Sequence, residues 1–196
     1  MKVLYFIFAM LTSTAFSQGI DYFPVHVGDT GEWYSYTENS EYTVVLTRVD
    51  TLSDNSFDIY HDNSDKPRFR IAEDGNVYQH LSDDLIIWYD FSVAHGDTFE
   101  TEFWKAQFHV IVSDGWEYVF GERVPVKYFR WEHKLYDETH EHKLSQKHGV
   151  IEVRSDIGPM HAVMRGSTIG GKGYGTLVSI EEVHAARAVI LTQITQ

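Results

Sequence analysis

Short runs of β-forming residues recur along the chain, and turn residues separate them about every 8–12 positions. Apolar and polar side chains alternate within these runs, for example in residues 41–49, where Tyr42, Val44 and Leu46 share one face. We find no strong helical period before residue 180, and residues 181–190 fit either a short helix or an extension of the last strand. Further strand candidates are residues 68–81, interrupted by a turn, and residues 85–89, 99–104, 108–112, 116–120 and 126–131. The pattern predicts an all-β fold, an antiparallel meander that forms a barrel, a half-barrel or a sandwich.

Glycine and aspartate mark the expected turns. Asp74-Gly75, Asp114-Gly115 and residues 120–122 predict hairpin connections. Residues 166–177 (GSTIGGKGYGTL) are rich in glycine and predict a flexible surface loop between two late strands. They do not form a phosphate-binding loop, because Lys172 lacks the Gly-Lys-Ser/Thr context.

Two stretches of the chain share one pattern: residues 23–30 read FPVHVGDT and residues 91–98 read FSVAHGDT. Glycine permits a positive φ and aspartate can bond backbone amides two residues on, so we interpret Gly28-Asp29 and Gly96-Asp97 as structural turns. The alternative is a duplicated carboxylate ligand site. Neither stretch has the alternating aspartates that hard cations favour, and the flanking residues do not supply the same further ligands twice.

The N-terminal residues have the features of a signal peptide. Lys2 precedes an apolar run at residues 3–11, and Ala15 and Ser17 fit a signal-peptidase site, so we expect cleavage before Gln18. The alternative is a hydrophobic N-terminal strand. The run is too short to span a bilayer, and no second run is long enough for a transmembrane helix. We therefore predict residues 1–17 as signal peptide and a secreted or periplasmic protein.

Composition narrows the class of partner and of chemistry. The chain has 16 Lys and Arg against 29 Asp and Glu, a formal net charge of −13, which argues against nucleic acid or anionic lipid surfaces as partners. It has no cysteine, so disulfides and thiolates play no part. We see no linker, and residues 18–196 are long enough to form a single domain whose core holds together without cross-links.

The start of the mature chain, DYFPVHVGDTGEWYSY, resembles a group of secreted β-rich proteins of Bacteroidetes-type bacteria whose function is uncharacterised. The matching residues follow the pattern Tyr-Phe-Pro-Leu-x-x-Gly-Asn/Asp-x-Trp-x-Tyr and are Tyr22, Phe23, Pro24, Gly28, Asp29, Trp33 and Tyr36. Residues 74–99, 155–164 and 176–183 are also similar to segments of that group. The chain departs from the pattern by the inserted Gly31-Glu32, by Pro159 in place of a glycine, and by a His-rich middle. The resemblance implies export and a β fold, and it assigns no catalytic residue.

The densest polar segment contains four histidines: His133, His140, His142 and His148. His140 and His142 would share one face of a strand, which is a common way to present two imidazoles to Zn²⁺ or Cu²⁺. The alternative, which we favour, is a solvated hairpin tip of mixed charge that binds no metal tightly. We expect no cofactor.

No Gly-x-Ser-x-Gly elbow is present, and the residues single out no catalytic group, so we predict a protein that is not an enzyme. We expect an exported, non-catalytic envelope or extracellular protein, a binding or interaction module of unknown ligand. One alternative is a carrier of a hydrophobic ligand or lipid in a β-barrel cavity. Another is a metal-binding module formed by the His-rich segment. A carbohydrate ligand would need exposed aromatic rings, for which Trp88, Trp104, Trp116 and Trp131 are candidates.

Overall fold

The computed structural model describes residues 18–62, 64–81, 84–103, 105–156 and 160–175. The predicted signal peptide, Trp104, Pro159 and residues 176–196 lie outside the described residues. One helical turn, α1 (Gln18–Asp21), precedes thirteen strands. They are β1 (Thr30–Ser35), β2 (Ser40–Thr51), β3 (Phe57–His61), β4 (Phe69–Ile71), β5 (Val77–Leu81), β6 (Asp84–Tyr89), β7 (Thr98–Phe103), β8 (Ala106–Val119), β9 (Glu122–His133), β10 (Thr139–Ser145), β11 (Gly149–Ser155), β12 (Met160–Ile169) and β13 (Lys172–Gly175).

The first twelve strands form a nearly closed antiparallel barrel. Each strand pairs with the next one in the chain from β1 to β6 and from β7 to β12, and β12 pairs back onto β1. No ladder joins β6 to β7 in the part of the chain that the structure describes, but the Thr101 hydroxyl donates a hydrogen bond to the Ile87 carbonyl across this gap (2.8 Å). The predicted all-β meander is confirmed, and it is a barrel rather than a sandwich. No described helix is long and apolar enough to cross a membrane.

Two turn predictions are wrong. Asp114-Gly115 lies in the middle of β8, where Gly115 pairs with Val126 and the Asp114 carboxylate binds the Lys127 ammonium (2.7 Å). β8 continues to Val119, and the chain turns only at Phe120-Gly121, where both residues have positive φ. Residues 166–175 are not a loop, because β12 and β13 form a hairpin there and only Gly170-Gly171 makes the turn.

The two GDT stretches adopt the same hydrogen-bonded geometry. Gly28 has φ +94° and donates its amide to the Leu46 carbonyl (2.9 Å), while the Leu46 amide donates to the Asp29 carbonyl (2.9 Å). In the second stretch, Gly96 has φ +85° and Val112 takes the place of Leu46, at 2.8 and 3.1 Å. Each stretch thus attaches a turn to the middle of a strand.

The two ends of the barrel differ. Tyr22 and Phe23 of the N-terminal segment fill one end, where the Tyr22 ring lies 5.3 Å from that of Phe91 and the Phe23 ring 5.6 Å from that of Tyr89. Phe129 and Trp131 of β9 continue this aromatic core and are fully buried. The facing ends of β1 and β2, the end of β3 and the start of β12 lie toward the other end. The aromatic filling does not extend through the whole barrel, and a cavity remains between the core and this second end.

Candidate functional site

A cavity of about 460 Å³ lies inside the barrel. This volume falls within the range of pockets that hold small molecules, about 300–1,000 Å³. Most of its wall is apolar. Every second residue of a strand points inward, and these side chains line the cavity. The main apolar lining residues are Trp33, Val44, Leu46, Phe69, Leu81, Trp88, Phe103, Val150, Val153 and Met164.

Part of the wall is formed by a residue without a side chain. Gly31 of β1 lines the cavity, and a Cβ at this position would stand 2.8 Å from Trp33 Nε1 and 2.9 Å from Met164 Cε. Both neighbours also line the cavity, so any larger residue would displace them. Gly31 belongs to the Gly31-Glu32 insertion that separates this chain from the pattern of the proteins it resembles.

The floor of the cavity comes from the N-terminal segment. Phe23 and Pro24 line it, and Asp29 lies beside them with only 3% of its surface exposed. The Asp29 carboxylate accepts hydrogen bonds from the amides of Gly170 (2.7 Å) and His26 (3.1 Å). With Trp33, four residues of the N-terminal motif therefore line the cavity.

The mouth of the cavity lies toward the opposite end of the barrel. Three lining side chains reach solvent there: Tyr42, Arg68 and Met160. Tyr42 stands near the start of β2, Arg68 immediately precedes β4, and Met160 begins β12. The cavity is thus accessible from outside through the end that the aromatic core leaves open.

His140 and His142 both line the cavity, which puts them on one face of β10 as predicted. Their ring centroids are 4.4 Å apart, and the Trp131 ring packs against both, at 5.5 and 5.0 Å. Burial lowers the pKa of His140 to about 4 and holds the pKa of His142 well below its usual value. His142 Nδ1 also forms a hydrogen bond with the Tyr89 hydroxyl. Both rings face the cavity and pack against Trp131, so the interpretation of a solvated hairpin tip is wrong for them.

His133 and His148 lie away from this pair. His133 Nδ1 accepts hydrogen bonds from the Leu135 and Tyr136 amides (3.0 and 3.2 Å) in the β9–β10 turn, which is the exposed part of the segment. His148 is buried near the floor of the cavity, where its Nδ1 hydrogen-bonds with the Ser167 hydroxyl (3.0 Å) and burial lowers its pKa to about 4. Across the described ranges, no group of three or more His, Asp or Glu could hold a metal ion.

Three buried polar atoms of lining residues have no hydrogen-bond partner: His61 Nδ1, Gln79 Oε1 and His148 Nε2. Burial, and then the positive charge of Arg68, lower the pKa of His61 to about 4. His61, Arg68 and Gln79 were not predicted as site residues from the sequence. The alternation of residues along β5 places Val77, Gln79 and Leu81 on one face of the strand. This pattern could have predicted that Gln79 points into the barrel.

The tryptophan candidates for sugar stacking separate into core and surface. Trp88 and Trp131 are buried in the barrel, with ring centroids 5.1 Å apart. Trp116 is 61% exposed on β8, next to the 78% exposed Tyr118 on the same face. Of the tryptophan candidates that the structure describes, only Trp116 is therefore placed where it could stack on a sugar.

Comparison with known proteins assigns no family. No family model matches the chain, and no curated protein matches it. Among solved structures, a Bacteroides fragilis chain named "putative exported protein with YmcC-like fold" is similar, with a TM-score of 0.42 and 11% sequence identity over 74% of this chain and 97% of the other. At this level the similarity transfers neither family nor function.

Proposed function

We propose that the protein is an exported, non-catalytic binding protein whose barrel holds an apolar small molecule. The observation that carries the proposal is the cavity of about 460 Å³ with its mostly apolar wall. Protein interiors are normally close-packed, and a void of this size leaves its lining side chains without partners on one side. An apolar ligand would restore those contacts. Of the functions considered from the sequence, the carrier of a hydrophobic ligand thus has the strongest support.

The ionisable groups in the wall already make contacts within the protein. Burial lowers the pKa of His140 and of His142, which are packed among aromatic rings. The Asp29 carboxylate already accepts two backbone hydrogen bonds. Export is supported by the charge, apolar run and cleavage pattern of residues 1–17.

The test is binding of a neutral apolar dye, N-phenyl-1-naphthylamine, to protein stripped of lipid by organic extraction or denaturation and refolding. We expect saturable fluorescence enhancement at one site per chain. Mass spectrometry of the unstripped protein under native conditions should also show copurified apolar molecules.

Two neighbouring substitutions on β2 distinguish the cavity from the surface. Val44 lines the cavity and Thr43 is exposed, so Val44→Trp should fill the cavity and abolish dye binding, whereas Thr43→Trp should leave it unchanged. Thermal melts of both variants would verify that they fold. Failure of the wild-type protein to bind the dye, or equal loss in both variants, would refute the proposal.

A further inference from the structure

We propose that the ligand is a single-chain amphiphile whose carboxylate head pairs with Arg68 at the mouth of the cavity. This inference rests on the proposed function, because it names the chemical class that the cavity binds. It is carried by the position of Arg68, by the absence of a carboxylate partner for it among the described residues, and by the unpartnered ring nitrogen of His61 nearby.

The backbone of Arg68 is held in place by both neighbouring strands. Its amide donates to the Ile59 carbonyl of β3 (2.8 Å), and its carbonyl accepts from the His80 amide of β5 (3.0 Å). Its guanidinium lies over the Phe69 ring, with Cζ 5.6 Å from the centroid, and the residue is both a lining residue and solvent-exposed. The charge therefore stands where the apolar cavity meets water.

No carboxylate pairs with Arg68 within the described part of the chain. Two other arginines of the same region are paired: Arg48 with Asp50 (3.1 Å) and Arg70 with Asp58 (2.8 Å). Asp29, the other charged lining residue, lies at the opposite end of the cavity, and its carboxylate already accepts two backbone hydrogen bonds. A guanidinium can bind a carboxylate through two parallel hydrogen bonds, so a ligand carboxylate would supply the counter-ion that the protein does not.

One unpartnered polar atom that can donate a hydrogen bond, His61 Nδ1, lies near Arg68. The His61 ring lies 6.1 Å from the ring of Phe69, the next residue after Arg68. In the tautomer that carries its proton on Nδ1, His61 can donate a hydrogen bond to a carboxylate held by Arg68. Burial is the main cause of the low pKa of His61 and His142, and the positive charge of Arg68 lowers both further. The positive electrostatic potential of Arg68 therefore extends into the cavity and favours an anion there.

The rest of the cavity suits one apolar chain. Its volume of about 460 Å³ is in the lower half of the range for ligand pockets, which favours a single chain over a two-chain lipid. The protein carries a net charge of −13, which disfavours docking on an anionic membrane surface. Capture of a dissolved amphiphile is consistent with both properties.

The experiment measures displacement of N-phenyl-1-naphthylamine from stripped protein at pH 8 by four molecules of equal chain length: dodecanoate, dodecyl phosphate, 1-dodecanol and dodecylamine. We expect dodecanoate to displace the dye at a concentration about 10-fold lower than 1-dodecanol, a difference of about 1.4 kcal/mol. Dodecylamine, a cation at this pH, should be the weakest competitor.

Substitutions then test whether Arg68 causes the preference for dodecanoate over 1-dodecanol. Arg68→Met should raise the dodecanoate concentration needed to about that of 1-dodecanol and leave 1-dodecanol unchanged, and Arg68→Lys should retain part of the preference. The control is Arg48→Met, because Arg48 is not a lining residue and is paired with Asp50.

Equal displacement by dodecanoate and 1-dodecanol, or an unchanged preference in Arg68→Met, would overturn the inference while leaving the binding of apolar molecules intact. A stronger response to dodecyl phosphate would overturn the assignment of a carboxylate head. Absence of dye binding in the wild-type protein would instead refute the proposed function itself.

Discussion

The carboxylate of Asp29 accepts a hydrogen bond from the amide of Gly170 (2.7 Å) and thereby attaches the floor of the cavity to the β12–β13 turn. Its second oxygen accepts from the His26 amide (3.1 Å). Asp97, which has the same place in the second GDT stretch, is exposed. One sequence pattern therefore produces one turn geometry, but only the aspartate of the first copy is buried and bonded to the β12–β13 turn.

Asp29→Ala should lower the free energy of unfolding by about 1–3 kcal/mol, because the two backbone hydrogen bonds to a buried carboxylate would be lost. Asp97→Ala is the matched control, and its effect should stay within about 0.5 kcal/mol. Urea unfolding of both variants measures the difference. Equal destabilisation by the two substitutions would mean that the turn, and not the bond to Gly170, determines the role of Asp29.

Gly96→Val should lower the free energy of unfolding by about 1–3 kcal/mol, because φ is +85° and a β-branched residue is strained there. A Cβ at Gly96 meets no atom within 4 Å, so the cost would come from the backbone alone. Gly115→Ala is the control, since a Cβ at this strand glycine would lie 3.6 Å from its nearest neighbours, which is a normal van der Waals distance. It should be neutral or stabilising by up to about 1 kcal/mol. An unchanged melting temperature in Gly96→Val would contradict the structural role of this turn.

Much of the barrel could be predicted from local sequence, because each ladder from β1 to β6 and from β7 to β12 joins neighbours in the chain. Period-two alternation and turn residues are local signals for such hairpins. Asp114-Gly115 shows the limit of these signals. An Asp-Gly dipeptide is typical of a turn, but this one lies inside the long strand β8, where the Lys127 ammonium binds the aspartate.

The cavity could not be predicted, because it depends on packing between segments that are far apart in the chain. Barrel closure requires β1 to pair with β12, and the polar atoms at the mouth come from β3, β5 and the residue before β4. The His-rich segment shows the same limit. Alternation predicted that His140 and His142 share a face, but only the fold shows that this face is the inner one.

The mature protein is expected to begin at Gln18, because Ala15 and Ser17 occupy the positions that signal peptidase requires after an apolar run. Intact mass spectrometry of protein recovered from the envelope or the medium checks this. Changing Ala15 and Ser17 together to bulky residues should block processing. A wild-type mass that includes residues 1–17 would argue against export by this route.

The histidine pair is expected to bind Zn²⁺ with a dissociation constant weaker than about 1 μM, which corresponds to roughly 8 kcal/mol. His140 and His142 are buried among aromatic rings, Tyr89 already bonds His142, and the charge of Arg68 at the mouth repels a cation. Calorimetric titration of metal-free protein with Zn²⁺ is the measurement, with His140→Ala/His142→Ala as the comparison. A tighter stoichiometric site that disappears in the double variant would make the protein a metal-binding module.

Folding stability is expected to fall as the pH decreases from about 6.5 to about 4. Burial lowers the pKa of His61, His140 and His148 to about 4, and it lowers that of His142 as well. The unfolded chain binds protons on these rings near pH 6.5, whereas the folded protein does not, so His61, His140 and His148 each remove up to about 1.4 kcal/mol of stability per pH unit within this window, and His142 acts in the same direction. Above the window all four are neutral in both states and the loss is absent.

Urea unfolding at intervals between pH 7.5 and pH 4.5 measures this dependence. His140→Gln should reduce the slope by about 1.4 kcal/mol per pH unit, because it removes one of the four rings. His109→Gln is the control, since His109 lies on the surface beside Glu100 and outside the cavity. A free energy of unfolding that stays constant across the window, or the same reduction of slope in both variants, would show that the buried rings are not what makes the barrel sensitive to acid.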